Sequence, residues 1–121
     1  MQHPSSPFPH NRLEAYNVAL EMAVRARRLA DRIPRGHRSL ADQLLRAASS
    51  TVLNTAEGAN RYTAGAKRQR YSEARSECGE VAAAAELLLA LELVSRVECE
   101  ALRALAGRVG AMLTRLIQRI G

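Results

Sequence analysis

The chain has 121 residues, which is enough for one domain that buries roughly two thirds of its unfolded surface. Hydrophobic residues make up 47% of it but aromatic residues only 3%, and its abundant Ala, Leu, Arg and Glu are strong helix formers, so the composition argues against a β fold. The net charge of +6, carried by 17 Arg and one Lys, favours a polyanionic partner, nucleic acid before a membrane.

Hydropathy gives no sign of a membrane protein or a secreted one. No apolar run approaches the roughly 18 residues of a spanning helix, and the first ten residues, MQHPSSPFPH, contain no apolar stretch of the signal-peptide type. We therefore expect a soluble, cytoplasmic protein that does not associate with a membrane.

Residues 1–10 contain three of the four prolines and two serines. Proline removes backbone donors, and nothing periodic is present to be buried. We predict a flexible N-terminal arm over residues 1–10, followed by one folded domain over residues 11–121.

The first two helices are predicted from helical spacing of apolar residues and from their termini. Helix one is expected at about 12–32, with Asn11 and Glu14 resembling a capping box and Pro34 ending it. Helix two is expected at about 40–59, with Ser39 as its N-cap.

The next two helices show the same periodicity. Helix three is expected at about 66–94, and helix four at about 96–120, where Ser95 and Glu98 form the best capping box in the chain. The predicted connections of about two to seven residues make consecutive helices antiparallel neighbours. The predicted fold is all-α: an antiparallel, up-down-up-down four-helix bundle.

The two cysteines, Cys78 and Cys99, are predicted to lie roughly 20 Å apart along the bundle, too far for a disulfide. Cys78 falls on the apolar seam of helix three and is expected in the core. Cys99 lies in the first turn of helix four and is expected to be more exposed, with a reactive thiol as the lesser alternative.

Catalytic and metal-binding chemistry has little support. His3, His10 and His37 have no second ligand at metal-binding spacing, and no nucleophile–base pair or cofactor loop is present. We expect no enzyme activity, cofactor or metal. The alternative kept open is a small enzyme or metal-binding bundle that uses the helix-three carboxylates Glu73, Glu77, Glu80, Glu86 and Glu92.

Basic residues form two clusters, predicted at opposite ends of the bundle, that are candidates for gripping phosphates. The first cluster comprises Arg25, Arg28, Arg32, Arg35 and Arg38. The second comprises Arg61, Lys67, Arg68 and Arg70. The alternative is a solvated basic face with ion pairs between subunits. Tyr62 is the only plausible stacking side chain, which disfavours sequence-specific single-strand recognition.

The segment 46–61, RAASSTVLNTAEGANR, carries a family resemblance. It resembles the signature of the four-helix-bundle proteins first found as open reading frames in intervening sequences of bacterial 23S ribosomal RNA genes, close to RAA-x-S-I-P-x-N-I-A-E-G. The matching positions are Arg46, Ala47, Ala48, Ser50, Asn54, Ala56, Glu57 and Gly58. Val52 stands where the family usually has proline. The resemblance covers about residues 8–120.

The resemblance implies an antiparallel four-helix bundle that assembles into a homopentamer with a central channel. Relatives include the accessory variability determinants of diversity-generating retroelements, which are basic pentamers that bind nucleic acid and a reverse transcriptase. Most members of the family have no established activity.

The motif residues are predicted to have a packing or interface role, with ligand binding as the alternative. Asn54 and Glu57 share a helix face with Ser50, so we expect hydrogen bonds across a helix contact, and Gly58 either permits close approach or ends the helix. The packing or interface set is Arg46, Ser50, Asn54, Glu57, Gly58 and Glu80.

The function expected from the sequence is a non-enzymatic, self-associating bundle, with a pentamer favoured, that binds RNA or DNA nonspecifically through arginine-rich surfaces. The competing hypothesis is an adaptor whose basic surface docks a protein such as a reverse transcriptase.

Overall fold

The computed structural model describes residues 7–120. Its α-helices are α1 (Glu14–Ala30), α2 (Arg38–Asn60), α3 (Ala64–Ala90) and α4 (Arg96–Arg119). Two 3₁₀ turns, Pro9–Arg12 and Arg35–His37, precede α1 and α2. No strand occurs over residues 7–120, which confirms the predicted all-α class.

The four helices pack as a square. Consecutive helices contact each other and α1 also contacts α4, whereas the backbones of the diagonal pairs, α1 with α3 and α2 with α4, do not approach closely. The connections are residues 31–37, 61–63 and 91–95, too short for anything but antiparallel neighbours. The connections 31–37 and 91–95 therefore lie at one end, called here the first-turn end. The connection 61–63 and the start of α1 lie at the other.

The core is aliphatic, as the composition predicts. The largest fully buried side chains include Met22, Leu29, Leu44, Leu88, Leu102 and Leu113. Alanines from all four helices fill the space between them, among them Ala19, Ala26, Ala47, Ala74 and Ala106. Burying one such leucine contributes about 1.5–3 kcal/mol, and the small alanines let the helix backbones approach closely.

Of the predicted helix caps, one is confirmed and two are wrong. Ser95 caps α4, accepting a hydrogen bond from the Glu98 amide at 3.4 Å. By contrast, α1 follows Leu13 and α2 follows His37, and neither residue makes a side-chain cap bond. A 3₁₀ turn leads into each of these helices and displaces the start from the residue that the sequence favours.

The end of α3 comes four residues before the predicted position. Glu92 has φ 56°, in the left-handed region, and the Leu93 amide donates to the Leu88 carbonyl while the Glu92 amide donates to that of Leu89. These two bonds form a Schellman motif, which stops the helix. Glycine usually occupies this position, so the sequence signal was missing.

The last residues of the predicted arm lie against the bundle. Pro9 begins a 3₁₀ turn, and the His10 Nδ1 atom lies 2.9 Å from the side-chain nitrogen Nδ2 of Asn60. The His10 ring also packs on Phe8 and edge-on against Tyr16, with centroid distances of 5.6 and 4.7 Å. Residues 1–6, the rest of the predicted arm, are outside the described residues.

Both cysteines are free and buried. The Cys78 thiol donates to the Ala106 carbonyl at 3.1 Å, and burial raises its pKa to about 11. The expectation of a more exposed Cys99 is wrong, because its side chain faces the core and is 1% exposed. Burial, followed by the nearby carboxylates of Glu98 and Glu100, also raises the pKa of Cys99, so neither thiol is activated.

Candidate functional site

Four exposed arginines gather where α1 ends and α2 begins. This first-turn patch consists of Arg25, Arg28, Arg35 and Arg38, all exposed. Within residues 7–120 none of the four pairs with a carboxylate. Their charges are therefore available to a ligand, since no internal acid neutralises them.

Arg32 belonged to the same predicted cluster, but the structure gives it another role. Its guanidinium pairs with the Glu98 carboxylate at the start of α4. This ion pair joins the connection 31–37 to the first turn of α4. Arg27, nearby on α1, is likewise held by Asp31 at 3.2 Å, which leaves the first-turn patch as the unpaired set.

Most of the second predicted cluster is occupied within the chain. Arg61 lies 3.5 Å from Glu57, and Arg70 lies 3.0 Å from Glu57 and 3.1 Å from Glu73. Two arginines and two carboxylates thus form a nearly neutral network across the α2–α3 contact. This network ties α2 to α3, and it leaves little net charge for phosphate.

Lys67 is also used internally, because its ammonium donates to the carbonyls of Gly58 and Ala59 at 3.2 and 3.0 Å. These carbonyls belong to the last turn of α2, where helix oxygens lack partners and favour a cation. Arg68 is half-buried and forms no ion pair in the described part of the chain. Tyr62 is 100% exposed in the α2–α3 connection.

The motif residues on α2 mainly contact α3. The Arg46 guanidinium lies between two α3 carboxylates, 3.5 Å from Glu77 and paired with Glu80. Asn54 does not reach across, contrary to expectation: its amide donates to the carbonyl and hydroxyl of Ser50 within α2, both at 3.0 Å. The motif positions at the two ends of this segment hold the α2–α3 contact, and the middle pair stays within its own helix.

Gly58 has a steric role rather than a terminating one, since α2 continues to Asn60. A Cβ atom at this position would lie 2.6 Å from both Cδ1 and Cε1 of Tyr71. The Tyr71 ring is 5% exposed, and burial raises the pKa of its hydroxyl. Only glycine lets this ring lie directly on the α2 backbone.

A further basic surface, not identified from the sequence, runs along α4. Residues 101–120 contain four arginines and no carboxylate. We call Arg75, Arg108, Arg115 and Arg119 the α4 basic face; all are exposed, and none forms an ion pair within residues 7–120. Arg75 donates to the Thr114 hydroxyl at 2.7 Å, which holds it beside α4. In the sequence, this face is indicated by the lack of acidic residues over residues 101–120. Because its arginines are widely spaced, no short segment looks strongly basic.

An open cleft of about 490 Å³ lies between α3 and α4, where Arg75 borders it. Arg103 borders it too, and its lining includes Gly79, Gly107 and Gly110. Arg103 is paired with Glu86 of α3 at 2.5 Å. The cleft is therefore lined largely by small residues, and Arg75 is its one basic residue without an ion pair within residues 7–120.

Neither a metal-binding cluster nor a membrane-spanning helix occurs within residues 7–120. Over the described part of the chain, no three His, Cys, Asp or Glu side chains group so as to hold a metal ion. Of the five carboxylates named above, Glu73, Glu77, Glu80 and Glu86 are in ion pairs with arginines, and Glu92 lies beyond the end of α3. None of the helices within residues 7–120 has the length and apolar character needed to cross a membrane.

The family model described as 23S rRNA-intervening sequence protein matches residues 11–115. Among solved structures, the fold is similar to that of a protein of unknown function from the S23 ribosomal protein family of Bacteroides thetaiotaomicron. The TM-score is 0.79 and the identity 22%, over 86% of this chain and 95% of that one. No curated protein sequence matches.

Proposed function

The chain belongs to the 23S rRNA-intervening sequence protein family, and on this basis we propose that it is a non-enzymatic, cytoplasmic bundle that self-associates and binds RNA or DNA without sequence preference. The observation that supports binding is the first-turn patch, in which four exposed arginines have no carboxylate partner within residues 7–120. Guanidinium groups of this kind pair readily with phosphate.

The patch sets the expected strength and salt dependence of binding. If all four guanidiniums contact phosphates of a duplex, a plot of log affinity against log salt concentration has a slope of about −3.6. Affinity then drops about 150-fold between 50 and 200 mM salt. Phosphate contacts carry no sequence information, so the interaction is nonspecific.

Self-association is supported by apolar side chains that the subunit leaves in solvent. Leu53 on α2 is 65% exposed and Val97 on α4 is 78% exposed. Leu40 and Leu87 also line a groove of about 240 Å³ between α2 and α3. A homopentamer, favoured by the family resemblance, has a net charge of 5 × 6 = +30, so weak phosphate contacts add up.

The test is fluorescence anisotropy with labelled RNA and DNA of about 20 nucleotides or base pairs, at 50 and 200 mM salt. Replacing Arg25→Gln and Arg38→Gln together should weaken binding at low salt and reduce the salt slope by about 1.8 on a duplex. The matched control is Arg27→Gln with Arg96→Gln, which removes two charges that Asp31 and Glu100 already neutralise. Equal loss in both variants would show that total charge, not the patch, governs binding.

Native mass spectrometry, with and without RNA, tests assembly. A strictly monomeric species at micromolar concentration would overturn self-association, and a species other than five subunits would overturn the pentamer alone.

The second candidate is an adaptor that docks a protein, such as the reverse transcriptase of a retroelement. The observation that favours it is the same apolar α2–α3 groove, which suits a protein partner better than phosphate. A complete lack of salt-sensitive binding to RNA and DNA would favour this candidate over nucleic-acid binding.

A further inference from the structure

We propose that the α4 basic face binds the phosphate backbone of a nucleic-acid duplex, as a contact surface separate from the first-turn patch. This inference rests on the proposed nucleic-acid binding and specifies both the form of the ligand and a second place where it is held.

The first argument is charge. Arg108, Arg115 and Arg119 project from a stretch of α4 that has no carboxylate of its own. Glu14 of α1 lines a pocket with Arg115 and Arg119, but it forms no ion pair with either one. With Arg75 included, the face keeps a net charge of +3, which attracts a polyanion.

The second argument is spacing. Arg108 and Arg115 are seven residues apart, so they lie on the same side of α4, about 10 Å apart along its axis. Arg119 extends the row to about 16 Å. Duplex DNA carries about one charge per 1.7 Å of axis, so a duplex lying along α4 presents about ten phosphates over this length. A row of three guanidiniums held by a stiff helix can therefore contact several phosphates of a rigid duplex at once.

The third argument separates a duplex from a single strand. Single-strand sites rely on aromatic side chains that stack on the bases. However, α4 contains no aromatic residue, and Tyr71, the aromatic residue of α3, is buried. The face therefore offers contacts to phosphates and none to exposed bases.

The surface on either flank of the row is open. Arg115 and Arg119 line a pocket on the side of α4 that faces α1, and Gly107 and Gly110 line the cleft on the side that faces α3. An added Cβ at either glycine would meet nothing within 4 Å, so the flank of α4 toward α3 is open to solvent. Arg75 borders the cleft from α3 and adds a positive charge there.

The experiment compares wild-type protein with Arg108→Gln/Arg115→Gln, using 20-base-pair DNA, 20-base-pair RNA and single-stranded DNA. On duplexes the salt slope should fall by about 1.8, which removes about 12-fold of the affinity change between 50 and 200 mM salt. Wild-type protein should bind either duplex more tightly than single-stranded DNA. Arg27→Gln/Arg96→Gln is again the control, and it should leave the duplex slope nearly unchanged.

The outcomes separate this inference from the proposed function. An unchanged slope in Arg108→Gln/Arg115→Gln, with binding still lost in Arg25→Gln/Arg38→Gln, overturns the α4 assignment alone. Tighter binding of single strands also overturns it. If native mass spectra show that Arg108→Gln/Arg115→Gln alters the subunit number, the face is a contact between copies of the chain and the assignment fails. No binding by wild-type protein refutes both proposals.

Discussion

Two glycine-to-alanine substitutions in helices should have opposite effects on stability. At Gly58, the new methyl carbon would lie 2.6 Å from two atoms of the buried Tyr71 ring. At Gly107, in the interior of α4, it would meet nothing within 4 Å. The chemical change is identical, so the difference between the variants measures the contact between α2 and Tyr71.

The magnitudes follow from the two environments. Alanine is favoured over glycine by about 1 kcal/mol in a helix interior, so Gly107→Ala should stabilise the protein by about that amount. At Gly58 the gain in helix propensity is smaller because the residue is near the end of α2, and overpacking against Tyr71 costs about 1–3 kcal/mol. We expect a net loss of about 1–2 kcal/mol, which separates the two variants by about 2–3 kcal/mol.

Urea unfolding followed by circular dichroism at 222 nm measures both free energies, and thermal melts should differ by about 8–12 °C between the variants. A Gly58→Ala protein as stable as wild type would refute the argument that Tyr71 requires glycine. A destabilised Gly107→Ala protein would show that the open side of α4 packs against another molecule, especially if the loss depends on protein concentration.

Three further predictions concern helix ends and a buried thiol. Glu92→Gly should raise stability by about 1 kcal/mol in urea unfolding, because it relieves a left-handed φ of 56°; a loss would contradict the strain. Ser95→Ala should lower the free energy of unfolding by about 1 kcal/mol in the same assay, whereas Ser39→Ala, inside α2, should lower it by almost nothing. Similar losses in both variants would show that Ser39 is a helix cap after all. Burial raises the pKa of Cys78 from 9.0 to about 11. Between these pH values the unfolded chain loses the thiol proton while the folded chain keeps it, so the free energy of unfolding should fall from pH 9 to pH 11. Cys78→Ala should flatten this decline, and an unaltered pH profile would contradict the prediction.

Helical periodicity predicted the number and class of the helices, because each helix must bury an apolar stripe. Termini were harder to predict. Ser95 follows a loop and caps α4 directly, but 3₁₀ turns precede α1 and α2 and move their starts away from Asn11 and Ser39. Burial of Cys99 depends on how α4 rotates against its neighbours, and that rotation is a property of the packed bundle.

The candidate site was predicted in part. High local charge density identified the first-turn patch, and that reasoning needs no tertiary information. The network in which Glu57 and Glu73 neutralise Arg61 and Arg70 spans two helices. It forms only when α2 packs on α3, so the sequence alone does not show it. The α4 basic face was overlooked because Arg108 and Arg115 lie seven residues apart, so no short window of sequence shows their cluster.

The engagement of Lys67 by two carbonyls limits how this protein can be modified. It is the only lysine in the chain, and its ammonium already serves the last turn of α2. Lysine acetylation, a common way to tune a basic protein, would therefore alter the end of a helix and leave every exposed guanidinium charged. Amine-reactive cross-linkers would likewise find a single side chain, whereas arginine-selective dicarbonyl reagents would report directly on both basic surfaces.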